Sequence, residues 1–270
     1  RYLMKRPNHL PDFTDPPLVE VVLGVQFAPV PAYASVYSMK VWDIFKAEFP
    51  KVQEYPILEP QFETFGGANI QAGPKIHVGA VPAGSRLWFI SDDENHLVQF
   101  QPDRFITNWR RQPNTQPYPR FEGLAEAFEA NVTKLADHFA SDFAYQMDIN
   151  QAEVAYINII PVEKFSQAGE WFELWNVGAF DVEALSTSFN EVVLGDNGKP
   201  FARLNHQIQS VFEADGKQRA FRLSLAFKGK PSGNDIESAM KFLATGRDAI
   251  VTRFGEITTN KAQRIWGRVE

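Results

Sequence analysis

Phe121, Leu124, Phe128, Val132, Leu135 and Phe139 recur at spacings of three and four, the period of one face of an α-helix. Pro119 stands where that helix would begin, a position that tolerates a missing N–H. A helix with one apolar stripe has to lay it against a second layer. That layer is written upstream, where Val19, Val21, Leu23, Val25 and Phe27 share one side of a strand against Glu20, Val22 and Gln26. A chain carrying both periods is held to an α+β architecture, with a sheet on one side and long helices on the other.

The remaining pattern extends this plan. A helix is expected from Ala34 to Glu48, stopped by Pro50. Residues 53–64 hold Pro56 and Pro60 and read as an interrupted or edge strand. Lys75–Val81 reads as a short strand, and Arg86–Ser91 with His96–Gln101 as a hairpin across Asp92-Asp93-Glu94-Asn95. Further on come a strand around Val154–Ile160, a short aromatic helix Glu170–Trp175 and a long strand over Phe180–Leu194. A second hairpin follows, Arg203–Phe212 and Arg219–Phe227 across Asp215-Gly216. A last helix carries Ile236, Met240, Leu243, Ile250 and Phe254, with caps offered by Ser232 to Asp235. The expected organisation is an N-terminal arm over 1–16, a first half over 17–141 and a second over 142–270. Each half reads as strand, helix, three or four strands, long helix, although no residue-level repeat accompanies it. Two such units predict a curved antiparallel sheet, a topology that resembles the duplicated TATA-box-binding-protein type of fold. The resemblance concerns architecture, not DNA binding.

Composition narrows the function classes. The chain has 270 residues and no cysteine, which removes disulfides, thiolate nucleophiles and Cys-based metal sites and favours a reducing compartment, the cytoplasm. Twenty-three Phe and six Trp supply an aromatic core. No apolar run reaches the roughly 18 residues of a membrane span, and the first seven residues show no signal-peptide apolar block. Residues 1–140 hold 13 basic and 16 acidic side chains and residues 141–270 hold 14 and 17, so each half is −3. Neither half offers a concentrated positive field for nucleic acid.

Of the candidate sites, the segment from Arg104 to Arg120 is the most informative. It holds Arg104, Trp109, Arg110, Arg111, Tyr118 and Arg120 among Asn, Gln and Pro. Guanidinium forks suit carboxylates or phosphates, and interleaved aromatics suit stacking. The same string also fits a solvated strand-to-helix loop with Trp109 plugged into the core. Gly229-Lys230-Pro231-Ser232-Gly233-Asn234 fits an anion site at a helix start, or a plain capped connection. The histidines His9, His77, His96, His138 and His206 show no metal-ligand spacing, no Gly-x-Ser-x-Gly string is present, and no cofactor or metal is expected. Trp171, Phe172 and Trp175 fit core packing or a partner patch, and Arg247 beside Gly246 fits a close approach, a buried ion pair or an interface.

Pro17-Leu18-Val19-Glu20-Val21-Val22-Leu23, Phe49-Pro50, Tyr55-Pro56, Asn108-Trp109-Arg110, Tyr118-Pro119, Tyr156-Ile157-Asn158, Arg253-Phe254, Ile257-Thr258 and Trp266-Gly267 occur in this order. In that order they resemble a sporadically distributed family of bacterial proteins with no established function. The resemblance carries over no catalytic residue and implies a mobile-element, toxin-neutralising or defence context. The expected function is a non-enzymatic binding protein whose target is another protein or a second copy of itself. The alternatives are an enzyme or sensor for a small anionic ligand, and a nucleic-acid module using the sheet face.

Overall fold

Strands of alternating period pair edge to edge until the sheet is wide enough for two long helices to cover. The computed structural model describes residues 6–66, 85–113, 117–175, 181–212 and 218–269. In chain order the elements are β1 (Asp12–Phe13), β2 (Leu18–Phe27), α1 (Ser38–Phe45), β3 (Lys51–Pro56), β4 (Ser85–Ile90), β5 (His96–Gln101), β6 (Arg104–Arg110) and α2 (Arg120–Phe143). They continue with β7 (Ile149–Val162), α3 (Ala168–Trp171), β8 (Ser186–Leu194), β9 (Pro200–Phe212), β10 (Arg219–Gly229), α4 (Ile236–Ile257), α5 (Asn260–Ile265) and β11 (Arg268–Val269). Nine strands form one sheet in the order β3-β4-β5-β6-β2-β7-β10-β9-β8, with every neighbouring pair antiparallel. β1 and β11 pair separately and tie the N-terminal arm to the C-terminus.

All the long helices lie on one face of the sheet. Register places Phe27, Phe89, Phe100, Phe105 and Phe227 on that face. Phe45 of α1 meets Phe89 and Phe105, Phe128 and Phe139 of α2 meet Phe105 and Phe27, and Phe242 of α4 meets Phe227, with ring centroids 5.0–6.2 Å apart. Burying each ring stabilises by about 1.5–3 kcal/mol, and edge or offset contacts add about 0.5–1.5. Gly246 lets α4 come close to β7 and β10: a Cβ there would meet Val154 Cγ1 at 2.5 Å and Phe227 Cδ1 at 2.7 Å.

The structure redraws some expected elements. The first helix is shorter, a 3-10 turn over Ser35–Tyr37 followed by α1. The interrupted strand stops at Pro56. The expected loop from Arg104 is a strand for its first seven residues, with Phe105, Thr107 and Trp109 inward and Arg104, Ile106, Asn108 and Arg110 on the other side. The polar residues on the outward side hid the alternation. Both hairpins and both long helices stand where the periods put them, and Asp235 caps α4 by accepting from the Ser238 amide. The strand expected at Lys75–Val81, the turn Asp215-Gly216 and Phe180 lie outside the described residues. No helix among the described residues is long and apolar enough to cross a membrane.

Candidate partner-binding face

The second face of the sheet carries no helix among the described residues, and its outward positions gather polar side chains. Strand register brings Lys51, Arg86, Arg104, Arg110, Arg203, Arg222 and Lys228 to this face, against Glu20 and Glu153. Seven cations therefore face two carboxylates on the strands of a chain whose formal net charge is −6.

Residues 57–66 leave the edge strand β3 and cross this face as a strap. Gln101 holds the strap backbone in both directions: Leu58 N–H donates to its Oε1 at 2.9 Å, and its Nε2 donates to Leu58 O at 2.9 Å. Gln26 Oε1 accepts from the Gln61 amide at 2.9 Å, and Gln151 Oε1 from the Glu63 amide at 3.4 Å. Arg104 donates to Glu59 O at 3.0 Å and to Gln26 Oε1 at 2.6 Å. Arg203 closes the far end, pairing with the Glu63 carboxylate at 2.7 Å, donating to Thr64 O at 2.7 Å and lying over the Phe65 ring at 5.4 Å. A cavity of about 40 Å³ remains beneath the strap over Gly24, where a Cβ would press on Glu153 and Ile106 at 3.1 Å.

Beyond the strap, Tyr55 and Trp88 stack with centroids 4.2 Å apart. Arg110 lies 4.9 Å over Trp88, and Arg86 lies 5.6 Å from it. Arg110 also pairs with Glu20 at 3.0 Å, and Glu20 accepts from Asn108 at 2.7 Å. Lys51 pairs with Glu94 and Lys228 with Glu153, both at 2.9 Å. Arg86 and Arg222 have no carboxylate at ion-pair distance among the described residues. Burial and the nearby Arg104 hold the Arg86 pKa below its usual value, and an opposite charge placed there would offset both the lost hydration and the repulsion.

The Arg104–Arg120 residues do not converge. Arg104 is buried beneath the strap and Arg110 sits in the aromatic stack. Trp109 points to the helix side and lies 5.1 Å from Tyr118. Tyr118 shares a hydrogen bond with Tyr156, O to O 3.0 Å, beside a cavity of about 60 Å³. Burial pushes the Tyr118 hydroxyl up to about 12 and the Tyr156 hydroxyl well above its usual value, so both stay neutral near pH 7. Arg111 and Arg120 hold the N-terminal arm, through Asp15 at 3.5 Å and Asp12 at 2.7 Å.

Other candidates resolve into structure. His206 is buried, stacks on Phe189 at 4.2 Å and sits 3.0 Å from Glu191, which in turn pairs with Arg253. Burial lowers the His206 pKa against the pull of Glu191. A separate cleft of about 280 Å³ on the helix side is lined by Glu48, His96, Trp109 and Asn131 instead. Arg247 is both of two expected things, a buried ion pair to Glu122 at 2.6 Å and neighbour to a close approach at Gly246. Trp171, half-buried, stacks on Trp266, and Phe172 packs inward on Phe221. The strap-holding set of Gln26, Gln101, Gln151 and Arg203 escaped sequence reasoning. Its signal was glutamine at outward positions of otherwise apolar strands. The chain matches no protein-family model and no curated protein.

Proposed function

We propose that the protein is a non-catalytic binding protein that recognises a protein partner through the strapped face of its sheet, which carries no helix among the described residues. The observation carrying this reading is the cationic, aromatic-bearing face of a chain with net charge −6. Charge of that sign gathered on one face of the sheet steers and orients an acidic partner. Arg86 and Arg222 are the cations such a partner would neutralise. Strand order supports a duplicated, TATA-box-binding-protein-like plan: outward from the centre, β2-β6-β5-β4-β3 and β7-β10-β9-β8 follow one sequence, the second a strand shorter. The resemblance to a sporadic bacterial family supports a mobile-element, toxin-neutralising or defence setting, and a cysteine-free chain supports the cytoplasm. Reversing charge at Arg86 and Arg222 tests the reading, because loss of partner binding is expected with the fold intact.

A nucleic-acid partner is the second reading, favoured by the same cations. Against it, four of the seven already face carboxylates, namely Lys51, Arg110, Arg203 and Lys228. Phosphate neutralisation draws on free cations and gives a steep salt dependence. A shallow salt slope for any oligonucleotide contact would count against it.

A further inference from the structure

The strap displays what this face can hold. Residues 57–66 read Ile-Leu-Glu-Pro-Gln-Phe-Glu-Thr-Phe-Gly, a short segment with two carboxylates and no cation. It has no regular secondary structure, and the sheet grips it through side chains rather than through a strand ladder. Gln101, Gln26 and Gln151 read its backbone amides, Arg104 reads a carbonyl, and Arg203 reads a carbonyl and the Glu63 carboxylate together. Amide side chains that bond a backbone are indifferent to its sequence, whereas a guanidinium selects for a carboxylate.

We propose, resting on the binding-face reading above, that the strap is a built-in stand-in for the partner's own segment. The partner then supplies an acidic, irregular peptide that takes the strap's place across the sheet. Two observations point beyond a purely structural clasp. Arg86 borders the strapped region beside Arg104 with no carboxylate partner among the described residues, leaving charge that the strap does not satisfy. Arg86 Nε and Trp88 Nε1 are also buried donors without an acceptor, so a partner with a further carboxylate gains contacts the strap lacks. The strap competes from within the same chain, at an effective concentration on the order of millimolar. Partner binding is thereby held weak until the partner's extra contacts outweigh it.

The test is a fluorescent peptide copying residues 57–66, titrated against the full chain. Glu63→Arg sets two cations against each other and releases the strap, so the free peptide is expected to bind this variant about tenfold more tightly than wild type. Glu63→Gln gives a smaller gain and guards against misfolding in the first variant. The double variant Glu63→Arg, Arg203→Glu restores the strap with the signs exchanged and loses the gain. A peptide with both glutamates replaced by glutamine binds no variant. Hydrogen exchange over 57–66 reports release independently. The proposal is overturned if the strap stays protected in Glu63→Arg, if release brings no peptide binding, or if a single-stranded oligonucleotide binds the released face more tightly than the peptide. Should the peptide fail while Arg86→Glu and Arg222→Glu abolish partner capture, the binding face stands and the peptide class falls.

Discussion

Replacing Gln101 by leucine is expected to loosen the strap while leaving the sheet folded. Gln101 is 3 % exposed and makes three hydrogen bonds, two with Leu58 and one donated to Asp103 at 2.6 Å. Leucine keeps nearly the same volume, so no cavity opens. Each bond to Leu58 is worth about 0.5–1.5 kcal/mol net, so about 2 kcal/mol leaves the strap. At about 1.4 kcal/mol per tenfold, exchange by local opening quickens roughly thirtyfold. The charge-assisted bond to Asp103 removes about 1.5–3 kcal/mol from global stability. Amide exchange at Leu58, Gln61 and Glu63 is the assay, since these three N–H groups bond only side chains of the sheet. Urea denaturation supplies the global figure. If Leu58 exchanges faster while Gln61 and Glu63 do not, the strap is not one cooperative element and the reasoning fails.

Other expectations follow from the helix side. Gly246→Val drives its Cβ into Val154 and Phe227 and is expected to cost about 3 kcal/mol by urea denaturation, the upper end of the range typical of overpacking; a neutral result would mean α4 is free to shift. Glu122→Gln leaves buried Arg247 with Asp248 as its remaining carboxylate and is expected to cost about 3 kcal/mol, more than Arg247→Met, which strands no buried cation. The opposite ranking would refute that account. His206 has a folded pKa held below the ordinary 6.5 by burial, so the unfolded chain binds the proton more readily. Its contribution is present above about pH 6.5 and is lost as pH falls through 6.5 toward the folded value. His206→Gln is therefore expected to flatten the drop in denaturation midpoint between pH 7.5 and 5, and an unchanged slope would assign that drop elsewhere.

The helix side of this fold was legible because apolar periods declare themselves locally. The stripe from Phe121 to Phe139 and the alternation from Val19 to Phe27 each mark an element and its buried face. The strap face was not legible, because its contacts join residues far apart: Gln26 to Gln61 spans 35 positions and Arg203 to Glu63 spans 140. A glutamine in a strand reads as a solvated residue until something crosses above it. β6 was missed for the same reason, since Arg104 and Asn108 are polar yet buried, Arg104 by the strap and both by bonds to other side chains. Arg104, Arg110 and Trp109 lie within seven residues, yet the pleat sends the tryptophan to one face and both arginines to the other.

Whether the strapped face of the sheet binds the partner is tested most directly by affinity capture from expressing cells. The bait would be wild type, the double variant Arg86→Glu, Arg222→Glu, and a control with Asp137→Lys on the exposed side of α2. The account predicts a stoichiometric protein retained by wild type and by the control and lost from the double variant at an unchanged melting temperature. Equal capture by all three would contradict it and move the binding surface away from the sheet.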